Sequence, residues 1–526
     1  MVIGAGFGGL RALLELRGLG LETKVLEAGG GVGGTWYWNR YPGARSDSEA
    51  WSYCYSFSRE LWNEWDWPDR LPGQSDVLAY LDHVADRMDL RKDIVLETRV
   101  TRAEYRERQA DWQVETDLGD RYRCRYLVSA GGILSVPIQP AFDGLDTFEG
   151  DWYMTSRWPA GGVDVAGRRV AIVGSGATAV QVLPIVAKTA GHVTLLQRTP
   201  NYVIPARNRP LEDGEREALK AGFEEVWREV RNQVFALPIP PANRVADGLP
   251  PGEIERILER GWERGGFQFI FETFDDLLVN ERSNALAAEF IRKKIRTIVV
   301  DPAVAEALCP RYPLMAKRPP LGTEYYESFN RDNVSLVDVS GSPIGGITPT
   351  GIRVADRTVD CDVIVFALGF DAGTGALSAL EVTGPGGVTI RDKWREGPRT
   401  HLGIMVDGFP NLFMISGPQS PFANIPPVVE NSVDWIGKAI LAIREKRAVS
   451  MEPKEESVAG WAALLKQYVD ATVIRHGSDV RSWFVGANVE GKPTSAQFHF
   501  GGAATYFAQL EQSMESGFDE FRFRYR

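Results

Sequence analysis

The chain contains few cysteines and few histidines, and this scarcity removes several kinds of chemistry. Its 526 residues include only four cysteines, Cys54, Cys124, Cys309 and Cys361, which are widely scattered and form no CxxC or metal-binding spacing. We therefore expect free thiols in a reducing compartment such as the cytoplasm, and no metal site. The five histidines match no metal or catalytic-triad spacing; they are His83, His192, His401, His476 and His499.

Long apolar runs and excess positive charge are also missing. No stretch of about 18 apolar residues occurs, which predicts no membrane span. The N-terminus has neither a basic nor an apolar leader region, so we expect no secretory signal. The net charge of −11 argues against nucleic acid as the main partner. A composition of 44% hydrophobic and 25% charged residues is that of a globular chain, and the length predicts two or three domains.

The first recognisable motif opens the chain. A short strand at Val2 leads into Gly4-x-Gly6-x-x-Gly9, then a helix-like stretch, then a second strand that ends at Glu27. The glycines allow a tight turn and let a pyrophosphate approach the helix N-terminus, and an acidic residue about 20 positions later binds ribose hydroxyls. We predict a dinucleotide site here. Because the first strand begins almost at residue 1, we also expect the natural start to lie upstream.

A second motif of the same kind starts in the sequence RRVAIVGSGATAVQ. A strand precedes Gly174-x-Gly176-x-x-Ala179, and the strand after the helix ends at Arg198 instead of an acid. A cation at this position pairs with a 2′-phosphate and favours NADP(H) over NAD(H), although a solvated arginine is the simpler alternative. Opposite charges at the two ribose positions indicate two different dinucleotides, FAD in the first unit and NADPH in the second.

The remaining sequence indicates how these units are connected. The segments YLVSAGGILSVP and DCDVIVFALGFDAG read as buried strands that break at glycines, and such strands are typical of a chain that leaves one nucleotide domain and later returns. Between them, apolar residues at three- and four-residue spacing predict helices. We predict an α/β protein with two Rossmann-like domains and a helical insertion: FAD domain at 1–138 and 365–526, NADP domain at 139–210 and 319–364, and insertion in the second domain at 211–318.

With these units placed, the chain resembles the flavin-dependent Baeyer–Villiger monooxygenases, with most similarity to the cyclic-ketone and steroid-ketone members. The resemblance rests on GGTWYWNRYPGARSD, which ends at Asp47, on Phe148-x-Gly150 with Trp158-Pro159, and on AKRPPLGTEYYESFNRDNV and SWFVGANVEGK. It implies an enzyme that uses FAD, NADPH and O2 to convert a ketone to an ester or lactone through a C4a-peroxyflavin and a tetrahedral adduct. It implies no nucleic-acid or membrane partner, and we expect a monomer or weak homo-oligomer.

The same resemblance implies roles for individual residues. Arg318 would stabilise the anionic reactant, a task suited to a group that is always charged, and Asp47 would orient Arg318. A surface arginine and a turn acid are the structural alternatives. Lys317 would share the 2′-phosphate with Arg198. The implied cofactor-binding set also includes Thr35, Trp36, Asp47, Thr199 and Trp483, and the implied pocket residues are Phe422 and Ile425. For Trp483 an ordinary core aromatic, and for the pocket pair plain loop hydrophobes, remain alternatives.

Two departures from the family pattern leave other functions open. Met154 stands where the family has histidine, and Ala367-Leu368-Gly369 replaces Ala-Thr-Gly. We expect Met154 to affect the coupling of domains and not the chemistry. The alternatives are a related flavin monooxygenase that oxygenates nitrogen or sulfur, and a non-catalytic flavin- or NADP-binding sensor. The sequence argues against a flavin disulfide reductase because no redox cysteine pair follows the first helix.

Overall fold

The computed structural model describes all residues from 1 to 526 and contains two parallel five-stranded sheets. In spatial order, the first sheet consists of Leu412–Met414, Leu127–Ser129, Val2–Ile3, Val25–Leu26 and Ile94–Val95. The second consists of Val334–Asp338, His192–Gln197, Arg169–Val173, Val363–Phe366 and Asp151–Met154. Each glycine motif lies directly after the central strand of one sheet, as the Rossmann pattern predicts.

Smaller sheets flank these two. A four-stranded sheet contains Glu381–Thr383, Val100–Arg106, Asp111–Thr116 and Arg121–Cys124, and a three-stranded one contains Ile344–Thr348, Gly351–Val354 and Arg357–Asp360. Two-stranded pairs join Ile204–Pro205 to Leu321–Gly322 and Ser450–Pro453 to Phe521–Arg524. None of these four was anticipated from hydrophobic pattern alone.

Seventeen α-helices cover the sheets and fill the middle of the chain. None of them combines the length and apolar character that crossing a lipid bilayer requires. Their bounds are Phe7–Gly18, Thr35–Trp38, Arg59–Glu64, Gln74–Arg87, Ala177–Val186, Asp213–Ala221, Phe223–Asn232, Pro251–Arg264, Gln268–Phe271, Glu281–Ile298, Pro302–Leu308, Tyr325–Ser328, Gly375–Ser378, Ile390–Lys393, Ile425–Glu445, Glu455–Asp470 and Ala503–Glu515.

The helices of the predicted insertion divide between two hydrophobic cores. Those from Pro251 to Leu308 pack into the core of the second sheet. Helix Phe223–Asn232 packs instead into the core of the first sheet, where the ring of Trp227 lies 5.7 Å from that of Trp62. The segment that the sequence places as an insertion in the second domain therefore contacts both nucleotide-binding units.

Candidate active site

The first glycine loop is shaped by close backbone approaches that exclude side chains. Gly4 has a φ of +98°, and a Cβ added there would lie 2.7 Å from the Ala130 carbonyl oxygen; a Cβ on Gly9 would lie 1.8 Å from the Gly4 carbonyl. Gly6 precedes helix Phe7–Gly18, whose N-terminus has no side-chain cap and no acidic residue in its first turn. The uncapped N–H groups and the missing side chains fit a pyrophosphate.

Glu27 lies beside this loop, as predicted. Its carboxylate is buried and accepts hydrogen bonds from the backbone N–H groups of Ala5, at 2.6 Å, and Gly29, at 2.7 Å. A carboxylate has further lone pairs that can accept ribose hydroxyls. Thr35 begins the next short helix, and Trp36 in that helix is buried with its indole N–H directed to the Tyr53 hydroxyl.

The second glycine loop repeats the same construction. Gly174 has a φ of +113°, and a Cβ there would lie 2.5 Å from the carbonyl oxygen of Ala367. Helix Ala177–Val186 again starts without a side-chain cap, and the space around the Cβ position of Gly176 is open. Ala179, in the third motif position, is fully buried against the sheet. This loop also fits a dinucleotide phosphate.

Cations gather next to the second loop without acidic partners. Arg198 follows strand His192–Gln197, and Lys317 lies near it: burial and the charge of Arg198 lower the pKa of Lys317 to about 8. Neither side chain is paired with a carboxylate. Thr199 is half-buried beside Arg198, and its carbonyl accepts a hydrogen bond from the Ser175 hydroxyl at 2.7 Å. The structure thus brings together the residues predicted to bind a 2′-phosphate.

Arg318 and Asp47, far apart in sequence, form an ion pair between the two units. One guanidinium nitrogen of Arg318 donates to Oδ2 of Asp47. The other carboxylate oxygen, Oδ1, is buried and has no hydrogen-bond partner. Arg318 makes no other hydrogen bond, so most of its five N–H donors are free. Tyr41 and Tyr53 are half-buried close to this pair; desolvation raises the pKa of each to about 12, so both remain neutral.

The aromatic ring of Phe267 lies against Arg318, a contact that sequence reasoning missed. The guanidinium carbon is 5.8 Å from the centre of that ring. The turn before Phe267 is held by a buried network in which Arg70 donates to Glu49, at 3.1 Å, and to Gln268, at 2.6 Å. Gln268 also donates to Glu49, at 2.7 Å. The network connects the loop that contains Asp47 to the insertion. In the sequence, the pair Gly265-Gly266 was the one sign of a tight turn before Phe267.

A cluster of rings continues from Phe267 toward the predicted pocket residues. Phe235 lies 5.2 Å from Phe267 and 5.0 Å from Phe422, and Phe422 lies 5.4 Å from Trp483 (ring centres). The cluster joins the insertion to the C-terminal part of the chain. Ile425, by contrast, begins helix Ile425–Glu445 and packs at the edge of the first core, outside this cluster.

Met154 lies at the end of the edge strand of the second sheet. It pairs with Phe366 on the neighbouring strand and is buried. Packing explains why glycine and phenylalanine occur at Gly150 and Phe148. A Cβ on Gly150 would lie 2.4 Å from the Asp362 carbonyl oxygen and 2.7 Å from the ring of Phe148. The chain then passes to Arg157, whose guanidinium stacks 4.4 Å from the Trp38 ring. Met154 thus occupies a buried apolar position in the sheet.

Sequence comparison finds relatives across almost the whole chain. Residues 1–231 match the family described as pyridine nucleotide-disulphide oxidoreductase. A Baeyer–Villiger monooxygenase from Pseudooceanicola batsensis is 42% identical over 521 residues, which cover 98% of this chain and 95% of that protein. The phenazine N-monooxygenase PhzNO1 from Lysobacter antibioticus is 38% identical over 524 residues, 99% of this chain and 96% of that protein.

Structural comparison agrees. A steroid monooxygenase solved in its oxidised state with NADP superposes with a TM-score of 0.94 at 42% sequence identity. The match covers 100% of this chain and 99% of that one. Both nucleotide units, the insertion and the C-terminal part therefore have counterparts in a single solved fold.

Proposed function

Because the chain belongs to the flavin-dependent Baeyer–Villiger monooxygenases, we propose that Arg318 and Asp47 form the centre at which it oxygenates a ketone. The protein is an NADPH- and O2-dependent flavin monooxygenase that converts ketones to esters or lactones, with FAD and NADP(H) as cofactors. The observation that carries the proposed site is the partly buried ion pair between these two residues beside a cluster of aromatic rings.

The chain's own residues have three tasks in this proposal. When bound, FAD and NADPH supply the electrons and the activation of O2. Arg318 presents free N–H donors in a partly buried site, where a fixed cation stabilises developing negative charge. Asp47 fixes the guanidinium through Oδ2, and its unused Oδ1 would be free to accept a hydrogen bond from a bound dinucleotide.

The aromatic residues are proposed to bind substrate and exclude water. Phe267, Phe235 and Phe422 lead from Arg318 toward Trp483 and offer an apolar wall. An apolar wall next to this partly buried cation strengthens its electrostatic contribution because less water screens it. The ring cluster favours ketones with a large apolar body.

The finer assignments are part of the same proposal. We propose the FAD domain at 1–138 and 365–526, the NADP domain at 139–210 and 319–364, and the insertion at 211–318. The glycine loops and Glu27 would hold the two dinucleotides. Four unpaired cysteines support action in the cytoplasm. We further propose a monomer or weak homo-oligomer that acts on a small molecule without nucleic-acid or membrane partners.

A product assay with matched variants tests the proposed site. The purified flavoprotein, NADPH and air are incubated with cyclic, aryl and steroid ketones, and with a phenazine, since one relative is a phenazine N-monooxygenase. We expect ester or lactone from the ketones. Arg318→Ala should lower its rate by about 10²–10³ while FAD stays bound. Asp47→Ala should also impair it, and the double variant should be no worse than Arg318→Ala, because the pair acts as a unit.

Each other outcome has a defined meaning. Ordinary ester yield from Arg318→Ala removes that residue from the reaction. N-oxide without ester moves the enzyme to the nitrogen-oxygenating members of the family. Tight FAD and NADPH binding without NADPH oxidation indicates a sensor.

A further inference from the structure

Three cations from three separate parts of the chain lie together without carboxylate partners. Arg198 follows a strand of the second sheet, Lys317 precedes Arg318, and Arg481 lies in the turn after the 3-10 segment Val473–Val480. None of the three forms an ion pair or donates a side-chain hydrogen bond. Lys317 is half-buried, whereas Arg198 and Arg481 are exposed and partly screened by water; a bound anion would relieve the repulsion that remains among the three charges.

Arg481 is held in this group by the backbone of its turn. The Ser482 N–H donates to the Gly477 carbonyl at 2.8 Å, and Arg481 itself adopts a left-handed φ of 51°. The turn packs on the peptide before Lys317, since a Cβ on Gly477 would lie 3.5 Å from the Ala316 carbonyl oxygen. Partial desolvation and the nearby charge of Arg481 lower the pKa of Arg198, although its side chain is still exposed to solvent.

We propose that Arg481 is a third ligand of the 2′-phosphate of NADPH and a specificity-determining residue for this cofactor. The proposal extends the proposed function, which assigns the 2′-phosphate to Arg198 and Lys317. A phosphate monoester carries about −1.5 to −2 charges at pH 7 and presents three strong acceptor oxygens, so a third cationic donor has an oxygen to bind. Its binding converts the repulsion among the three cations into charge-assisted hydrogen bonds.

The position of Arg481 also gives this contact a structural consequence. Arg481 precedes Trp483 by two residues, and the Trp483 ring contacts Phe422 of the aromatic cluster. A phosphate bound by Arg481 therefore fixes the segment that carries one wall of the substrate pocket. NADH, which lacks the 2′-phosphate, gives this segment no such contact.

Calorimetry with cofactor fragments tests the proposal without relying on turnover. The FAD-loaded enzyme is titrated with adenosine 2′,5′-bisphosphate and with 5′-AMP at fixed ionic strength. Arg481→Gln should weaken binding of the bisphosphate by about 10-fold or more, the range for a hydrogen bond between charged groups, and should leave 5′-AMP within about twofold. Arg481→Lys should retain most of the affinity for the bisphosphate that Arg481→Gln loses.

Control variants separate the possible failures. Arg475 lies on the same segment but is already paired with Glu281, so Arg475→Gln should change neither titration. Arg198→Ala should weaken bisphosphate binding whatever Arg481 does. If Arg198→Ala weakens it and Arg481→Gln does not, the proposal for Arg481 is wrong and the NADP site stands. If neither weakens it, the 2′-phosphate assignment itself fails. Equal weakening of both fragments by Arg481→Gln shows a structural effect and also overturns the proposal.

Discussion

A buried carboxyl group, Glu430, should make the stability of this protein depend on pH in the neutral range. Glu430 lies in helix Ile425–Glu445, and its Oε1 accepts hydrogen bonds from the backbone N–H groups of Ser56, at 2.9 Å, and Phe57, at 3.0 Å. Its Oε2 accepts from the Ser56 hydroxyl at 2.5 Å. Burial nevertheless raises the pKa of Glu430 from 4.5 to about 7, against these bonds and the charge of Arg11. Arg11 is already paired with Glu15 and Asp434.

The sign and size of the effect follow from that shift. A rise from 4.5 to about 7 means that the folded protein binds a proton more tightly than the unfolded chain does. The stability contributed by this proton is fully present below pH 4.5 and is lost as the pH rises through about 7. At 1.36 kcal/mol per pH unit, the loss amounts to about 3 kcal/mol by pH 8.

The substitution Glu430→Gln removes the titration with little change in shape. The amide oxygen can accept the two backbone bonds, and the Ser56 hydroxyl can reverse to accept from the amide. We expect the free energy of unfolding of the variant to match that of the natural protein near pH 5 and to exceed it by about 3 kcal/mol at pH 8. For a unit of about 300 residues, such as the proposed FAD domain, this is roughly 5 °C in Tm. Thermal unfolding of the FAD-loaded protein across this range measures it. Glu445→Gln, at the exposed end of the same helix, is the control. Parallel pH profiles for Glu430→Gln and the natural protein would refute the reasoning.

Three further substitutions test the candidate site. Arg198→Ala should reduce the preference for NADPH over NADH by about 10–150-fold, measured as the ratio of KM values, because it removes a charge-assisted bond to the 2′-phosphate; an unchanged ratio contradicts the assignment. Met154→His should change turnover and hydrogen peroxide release by less than about tenfold with the same product; ketone-dependent NADPH oxidation that only the histidine variant shows would contradict it. Arg70→Ala should destabilise the fold by about 3–5 kcal/mol, because buried Glu49 loses its cation; an unchanged unfolding temperature contradicts this.

Much of the fold follows from local pattern. The second unit illustrates this: the sequence predicted a strand, a glycine loop, a helix and a strand, and the structure has Arg169–Val173, Ala177–Val186 and His192–Gln197 in those places. The apolar strands and the glycines that the loop requires are all specified within about 30 residues of sequence. The strand Leu412–Met414, which completes the first sheet, was not predicted. A short apolar run does not show which strand it pairs with, here Leu127–Ser129.

The candidate site was predictable only in part for the same reason. Asp47 and Arg318 were paired by resemblance, since contacts between residues so distant in sequence leave no local signature. Phe267 and Arg481 carry no motif at all. The ring of Phe267 contacts Arg318 because a hydrogen-bond network between two units holds the turn before it. Arg481 is positioned by a turn that packs through Gly477 on the peptide before Lys317. Such residues become visible only when the chain is folded.

The closure of each glycine loop by a distant carbonyl has a consequence for biosynthesis. The loop at Gly4 needs Ala130, and its sheet is complete only after Leu412–Met414; the loop at Gly174 needs Ala367, and its sheet is complete after Val363–Phe366. The unit that the ribosome begins second is therefore finished first. A nascent chain holds a closed NADP sheet while the FAD sheet still lacks an edge strand, so we expect flavin to enter an almost finished polypeptide.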